Sequence, residues 1–401
     1  VELIMAIKLF HSGQAGAPSL TGQNGSLIAL FDALLVNGYN AVSVTSITRV
    51  GGVATVQTAA AHGFKSGESA LISGATEAAY NIDAVVSVID LKHFTYQVAG
   101  EPASPATGSV TVKRAPAGFS KAFSATNKAA YRPNNTDGTR PYLQVIDDGS
   151  TAGAAREAKV RGYLTMTDVD TGGEPFPTSA QFGNGLYAYK SCTVDSTDRP
   201  WTMVTDGKTI YFQACMDRNP STRIATDGYI WWVAFGDFIP TRPNDPFTAF
   251  LAANNLQNGQ QSPSNTNGLF WAPTRTTNPS NNCCYSVRSY SQTIGAANMA
   301  MMGHGWDQGA IGSAEIVKYP HQPDNGFLMT PVMCVQGGVF RGRMPGIFEP
   351  LQGRCLSQFD TIENVDGYPG RTFLALIGVG ASSNTGMLMF DITGNESGKW
   401  D

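Results

Sequence analysis

Apolar and polar residues alternate with a period of two through most of this chain, a pattern that predicts strands far more often than helices. The clearest case is Tyr142–Ile146, where Tyr142, Gln144 and Ile146 fall on one face and Leu143 and Val145 on the other. A polar tip at 147–150 follows, and residues 158–166 read as the returning strand. This hairpin is partly apolar on both faces, so further layers have to cover it. One stretch breaks the two-residue rhythm. Leu27, Leu30, Phe31, Leu34 and Leu35 recur at helical spacing, with Ser26 as the expected N-cap and Asn37-Gly38 as a left-handed stop. Such a stripe is expected to pack on the hairpin's sheet, with a subunit contact as the alternative.

Residues 43–113 are almost entirely short alternating strands punctuated by glycine at turn spacing, which predicts a small barrel or sandwich. They read as an inserted domain whose ends lie close together, within a body made of residues 5–42 and 114–401, divisible near 240–285. Beyond the hairpin, residues 171–181 read as loop. Two strands flank Asp206-Gly207, a strong hairpin signal, and the aromatic run at 229–235 needs cover on both faces. Residues 247–253 read as one or two helical turns, and 254–283 as a long polar loop broken by Leu269, Phe270 and Trp271. Further strands are expected at 314–319, 326–335, 371–379 and 387–392, with residues 341–351 lying between them. The fold class is therefore mainly β: an antiparallel, sandwich-like body with one N-terminal amphipathic helix and an inserted small β domain.

Composition sharpens this picture in two ways. With 44 glycines, 22 prolines and only 14% charged residues, long charged helices are not expected. The net charge is −4 with no basic block, which argues against a nucleic-acid partner. No apolar run approaches the ~20 residues of a membrane helix, so no membrane partner is expected. Met5 looks a more natural start than Val1. Six cysteines are too few for a disulfide framework, and Cys283-Cys284 has no zinc-ligand spacing around it, so buried thiols are the simpler reading. No cofactor or metal is expected.

Candidate chemistry is sparse. Asp168, Asp170 and Glu174 suggest a calcium loop or the acid pair of a glycan hydrolase, against the plainer reading of a solvated turn. His304 and Asp307 lie three apart, without a nucleophile elbow or a second histidine at ligand spacing. Arg341 and Arg343 offer bidentate donors for a carboxylate or phosphate, or ties between loops or subunits, the latter being favoured. Phe270 and Trp271 offer a stacking platform for a host-surface glycan. None of these makes a catalytic group, and no enzyme is expected.

Four stretches, MAIKLFHSGQAGAPSLTGQNGSLIALFDALLVNGY (5–39), APAGFSKAFSATNKAAYRP (115–133), YLQVIDDGSTAGAAREAKVRGYLTMTDVDTGGEPFPT (142–178) and RGRMPGIFEPL (341–351), resemble a family of virion structural proteins of tailed bacteriophages. The insert's AHGFKSGESALISGATEAAYN (61–81) and FTYQVAG (94–100) resemble a small β-module of phage tail and capsid proteins. The resemblance implies a non-enzymatic virion component, in the tail or baseplate, that assembles with copies of itself and with other virion proteins. Its alternatives are a carbohydrate-binding tail protein and a capsid or collar decoration protein.

Overall fold

The computed structural model describes residues 7–150, 154–215, 230–253, 284–302, 318–352, 355–377, 387–395 and 398–400. The chain is mainly β, with antiparallel pairing throughout. A 13-stranded sheet forms the body. It begins at Lys8–His11 and continues through Trp201–Thr205, Ile210–Cys215, Ile230–Asp237, Ala249–Ala252, Cys284–Ser286 and Ala297–Met302. It then runs through Met329–Gln336, Val339–Pro350, Met387–Asp391, Thr372–Ile377 and Thr361–Glu363, with Ile239–Pro240 pairing off Val339–Pro350.

This sheet is a sandwich because it curls back on itself. One face of its first half carries Val204, Tyr211, Trp232 and Phe250, which pack on Cys334, Met344, Leu388 and Phe390 of its second half. Trp232 stacks on Phe390 at 5.3 Å between centroids, and the Tyr211 hydroxyl donates to the Pro345 carbonyl. The opposite face of the first half presents Trp201, Met203, Phe212, Val233 and Phe235 to the helix and to a six-stranded sheet. Ile230–Asp237 is thus covered on both sides, which is why its sequence lacks alternation.

The six-stranded sheet contains the hairpin. Gly172–Phe176, Glu157–Met166, Tyr142–Ile146, Lys128–Pro133 and Phe119–Ala125 lie in that order, with Leu186–Tyr189 added on Glu157–Met166. Phe176 lies over Gly162, its partner across the ladder, where a Cβ would collide with the ring. Residues 171–181, expected as loop, thus hold a strand. Residues 247–253 hold the strand Ala249–Ala252 rather than helical turns, because all four of its residues are buried between neighbours in the large sheet. Residues 341–350 of the stretch 341–351 belong to the strand Val339–Pro350 instead of lying between strands.

The helix runs over Ser26–Phe31 and widens to a π-helix over Asp32–Asn37. Gly38, with φ 74°, closes it where a Cβ would collide with the Arg114 carbonyl. Leu27, Leu30, Phe31, Leu34 and Leu35 are all fully buried. Phe31 meets Tyr131 and Phe212 edge-on at 6.0 and 5.2 Å, so it is wedged between the two sheets. Burying each such side chain contributes about 1.5–3 kcal/mol. Ser26 is the first helical residue, with Gly25 as N-cap, and its hydroxyl donates to the Thr21 carbonyl. The helix amide of Leu27 is capped from afar, by the carboxylate of Asp147.

Residues 39–114 form a seven-stranded, nearly closed barrel around Val56, Ile72, Phe94 and Val112. Its two edge strands, Asp83–Val85 and Ser87–Val88, are consecutive in the chain and joined through the buried Val86. Tyr39 pairs with Arg114, so the outgoing and returning chains leave the body side by side.

Candidate functional site

Among the described residues, Asp168, Asp170, Glu174 and Arg341 are drawn into separate structural ties. Asp170 pairs with Lys128 at 2.8 Å. Glu174 accepts two bonds from Arg288, at 2.6 and 2.8 Å, which hold its carboxyl below the usual glutamate range. Asp168 accepts from the Asp170 amide, which lowers its pKa in the same way. Arg341 is buried. Its guanidinium donates to the Ser286 hydroxyl, the Phe247 carbonyl and Asp245, tying loops within the chain. Arg343 lies in the same strand, its Nε buried without a partner among the described residues. Cys284 is buried in the large sheet. Phe270, Trp271, Cys283, His304 and Asp307 lie outside the described residues.

Asp147, expected at a polar tip, is fully buried. Its carboxylate accepts from Lys190 at 2.5 Å and from the Leu27 amide at 3.0 Å. Lys190 also donates to the Gln23 carbonyl. Burial pushes the Asp147 carboxyl up to about 6 against the opposing pull of Lys190, and lowers Lys190 in turn. This pair locks the hairpin tip to the start of the helix.

Another polar cluster sits where the barrel meets the body. Gln14 is its hub and satisfies all four of its hydrogen-bonding positions. Its Nε2 donates to the Leu9 carbonyl and to Glu68, and its Oε1 accepts from the His11 amide and the Tyr39 hydroxyl. The bonds to Leu9 and His11 seal the outer edge of Lys8–His11, which would otherwise offer an unpaired ladder. Glu68 pairs with Arg114 at 2.6 Å, and Lys8 pairs with Asp83 of the barrel and donates to the Pro116 carbonyl. Burial raises the Tyr39 phenol well above its ordinary pKa, keeping it a donor.

Beside this cluster lies a cavity of about 350 Å³. Its walls come from the edge strand, from barrel residues 65–69 with Arg114, from Thr372 of the large sheet and from Ile392 and Thr393 just past the strand Met387–Asp391. Sequence reading missed Lys8, Gln14, Glu68 and Arg114. The one signal for them was Lys8, a lone charge inside the apolar run 7–10.

A further surface lies at one end of the large sheet. Val339 and Phe340 stand at a hairpin tip, 44% and 60% exposed, and the adjoining loop exposes Tyr290 (49%) and Ile294 (78%). The Tyr290 amide donates to Gln336, which brings loop and hairpin together. Among the described residues no three metal-ligating side chains converge, and no helix is long and apolar enough to cross a membrane. Compared with known sequences, the chain matches no family model and no curated protein.

Proposed function

We propose that the protein is a non-enzymatic structural component of a tailed-bacteriophage virion, placed in the tail or baseplate and built to assemble by contact. The observation that carries this reading is the apolar end of the large sheet, where four large apolar side chains stand outward on adjoining turns. A hairpin tip bearing Val339 and Phe340, joined to the Tyr290 loop, leaves apolar surface in water in an isolated subunit, and burial against a second copy would cover it. The phage-like stretches at 5–39, 115–133, 142–178 and 341–351 support the setting. Asp170, Glu174 and Arg341, first suggestive of chemistry, are engaged in internal ties, in keeping with a protein that acts through shape.

Light scattering on the purified chain, together with mass spectrometry of purified particles, tests this. The expected outcome is an oligomer that falls apart on Phe340→Asp with Ile294→Asp, and a chain present in particles at a fixed stoichiometry. A monomer unaffected by both substitutions, or absence from particles, would overturn it.

A further inference from the structure

We propose that the barrel turn at residues 89–92 is a docking crest for an anionic membrane surface, independently of any assembly role. The argument begins with apolar residues on the outer side of the barrel wall. Along 84–89 the even positions turn inward, with Val86 buried and Ala84 and Val88 packed on the barrel core. Val85 and Ile89 therefore face outward, Ile89 being 60% exposed, and Leu91 follows at 78%. The Thr58 amide donates to the Lys92 carbonyl and the His62 amide to the Leu91 carbonyl, which lays the exposed Ala59, Ala60 and Ala61 beside the turn. Ile89, Leu91 and three methyl groups thus share one outward surface, extended along the wall by Val85.

The charges beside this surface favour an anionic partner. Lys65 stands close to the turn, because its neighbour Ser66 accepts from the Val88 amide. Lys65 and Lys92 are exposed, and neither ammonium has a partner among the described residues. The nearby carboxylates are engaged. Asp90 is turned back into its own turn, accepting from the amides of Lys92 and His93 and from the His93 ring. Glu68 accepts from Arg114 and Gln14, and Asp83 pairs with Lys8.

Aliphatic tips flanked by ammonium groups fit a lipid headgroup layer. The tips enter the acyl boundary, while the lysines lay their apolar stems alongside and keep their charge at the phosphates. A protein partner would need a preformed groove around the crest, whereas a bilayer yields to it. The amides of Ile89 and Asp90 both donate to the His93 carbonyl, so the turn is already ordered and docking loses little entropy. The expectation of no membrane partner rested on the lack of a spanning helix, and a crest that lies on a bilayer needs none.

Flotation of the full chain with vesicles of phosphatidylglycerol and phosphatidylcholine, against vesicles of phosphatidylcholine alone, provides the test. Binding is expected on the anionic vesicles, at least about tenfold weaker on the neutral ones, and weakened by added salt. Leu91→Asp, and the pair Lys65→Glu with Lys92→Glu, are each expected to weaken it about tenfold or more at an unchanged melting temperature. Val50→Asp makes the same apolar-to-acid change on an exposed residue at the other end of the barrel and is expected to leave binding unchanged. No binding to anionic vesicles, equal binding to neutral ones, or equal loss in Leu91→Asp and Val50→Asp would overturn the proposal. A chain that does not float, and whose oligomer Leu91→Asp takes apart, would assign the crest to a second copy and overturn it equally.

Discussion

The helix at Ser26–Phe31 and the barrel over residues 39–114 are held to the body in opposite ways. The helix has no core of its own. Leu27, Leu30, Phe31 and Leu34 enter the main core and touch side chains of two sheets, with the Asp147–Lys190 pair fastening one end. The barrel encloses its own core around Val56, Ile72, Phe94 and Val112, and meets the body through Lys8 on Asp83 and Gln14 on Glu68. An element without an independent core must be part of the cooperative unit, because its burial is the body's burial. A nearly closed barrel with a polar seam keeps its stability largely separate, and the seam fixes orientation more than it adds free energy.

Three changes separate the two attachments. Phe31→Ala opens a cavity between both sheets and is expected to cost about 3–5 kcal/mol. Chemical denaturation followed by near-ultraviolet circular dichroism should show the whole body shifting. If only the helix melts, the helix is an appendage and the comparison fails.

The next effect comes from pH. The Asp147 pKa is raised by burial to about 6 in the folded chain, against 3.8 for an ordinary aspartate. Between these values the folded state holds a proton that the unfolded state has lost, so stability falls as pH rises from about 4 to 6 and is level beyond. The whole contribution is roughly 3 kcal/mol at most. Carboxylates whose pKa is lowered, such as Glu174 and Asp168, give the opposite slope at lower pH. The urea midpoint of wild type minus that of Asp147→Asn, measured from pH 4 to 7, therefore isolates the effect. A flat difference would show that the carboxylate is not held in this environment.

The smallest effect is expected at the seam. Gln14→Ala removes the amide that bonds Glu68 across the seam, and is expected to cost roughly 1–2 kcal/mol, confined to the edge strand and barrel docking. Hydrogen exchange should rise at residues 7–14 and 65–69 while the barrel interior and the helix stay protected. Global destabilisation instead would mean that barrel and body fold as one unit.

Much of the fold was legible because local rules agree with tertiary demands where one face is buried. The hairpin at Asp206-Gly207, the amphipathic stripe from Leu27 to Leu35, the aromatic run around Trp232 and the glycine-punctuated insert could each be read from spacing. The misread segments share one cause. Residues 249–252 and 341–350 are strands only because the sheet beside them supplies partners on both edges, as for Ala249–Ala252 between Ile230–Asp237 and Cys284–Ser286, and residues 172–176 because Glu157–Met166 supplies one on a single edge. Short segments with Pro, Gly or uniform apolar composition carry no local sign of that pairing.

The sequence by itself determined that the chain is strand-rich, that it holds one short helix whose stripe must be buried, and that a barrel-sized module interrupts the body. Those features follow from periodicity, which acts between near neighbours. Only the tertiary structure decided that Asp147 caps a helix 120 residues away, that Gln14 seals an edge strand against the barrel, and that Arg114 borders a cavity. Each of these depends on groups distant in sequence whose meeting is set by how the sheets pack.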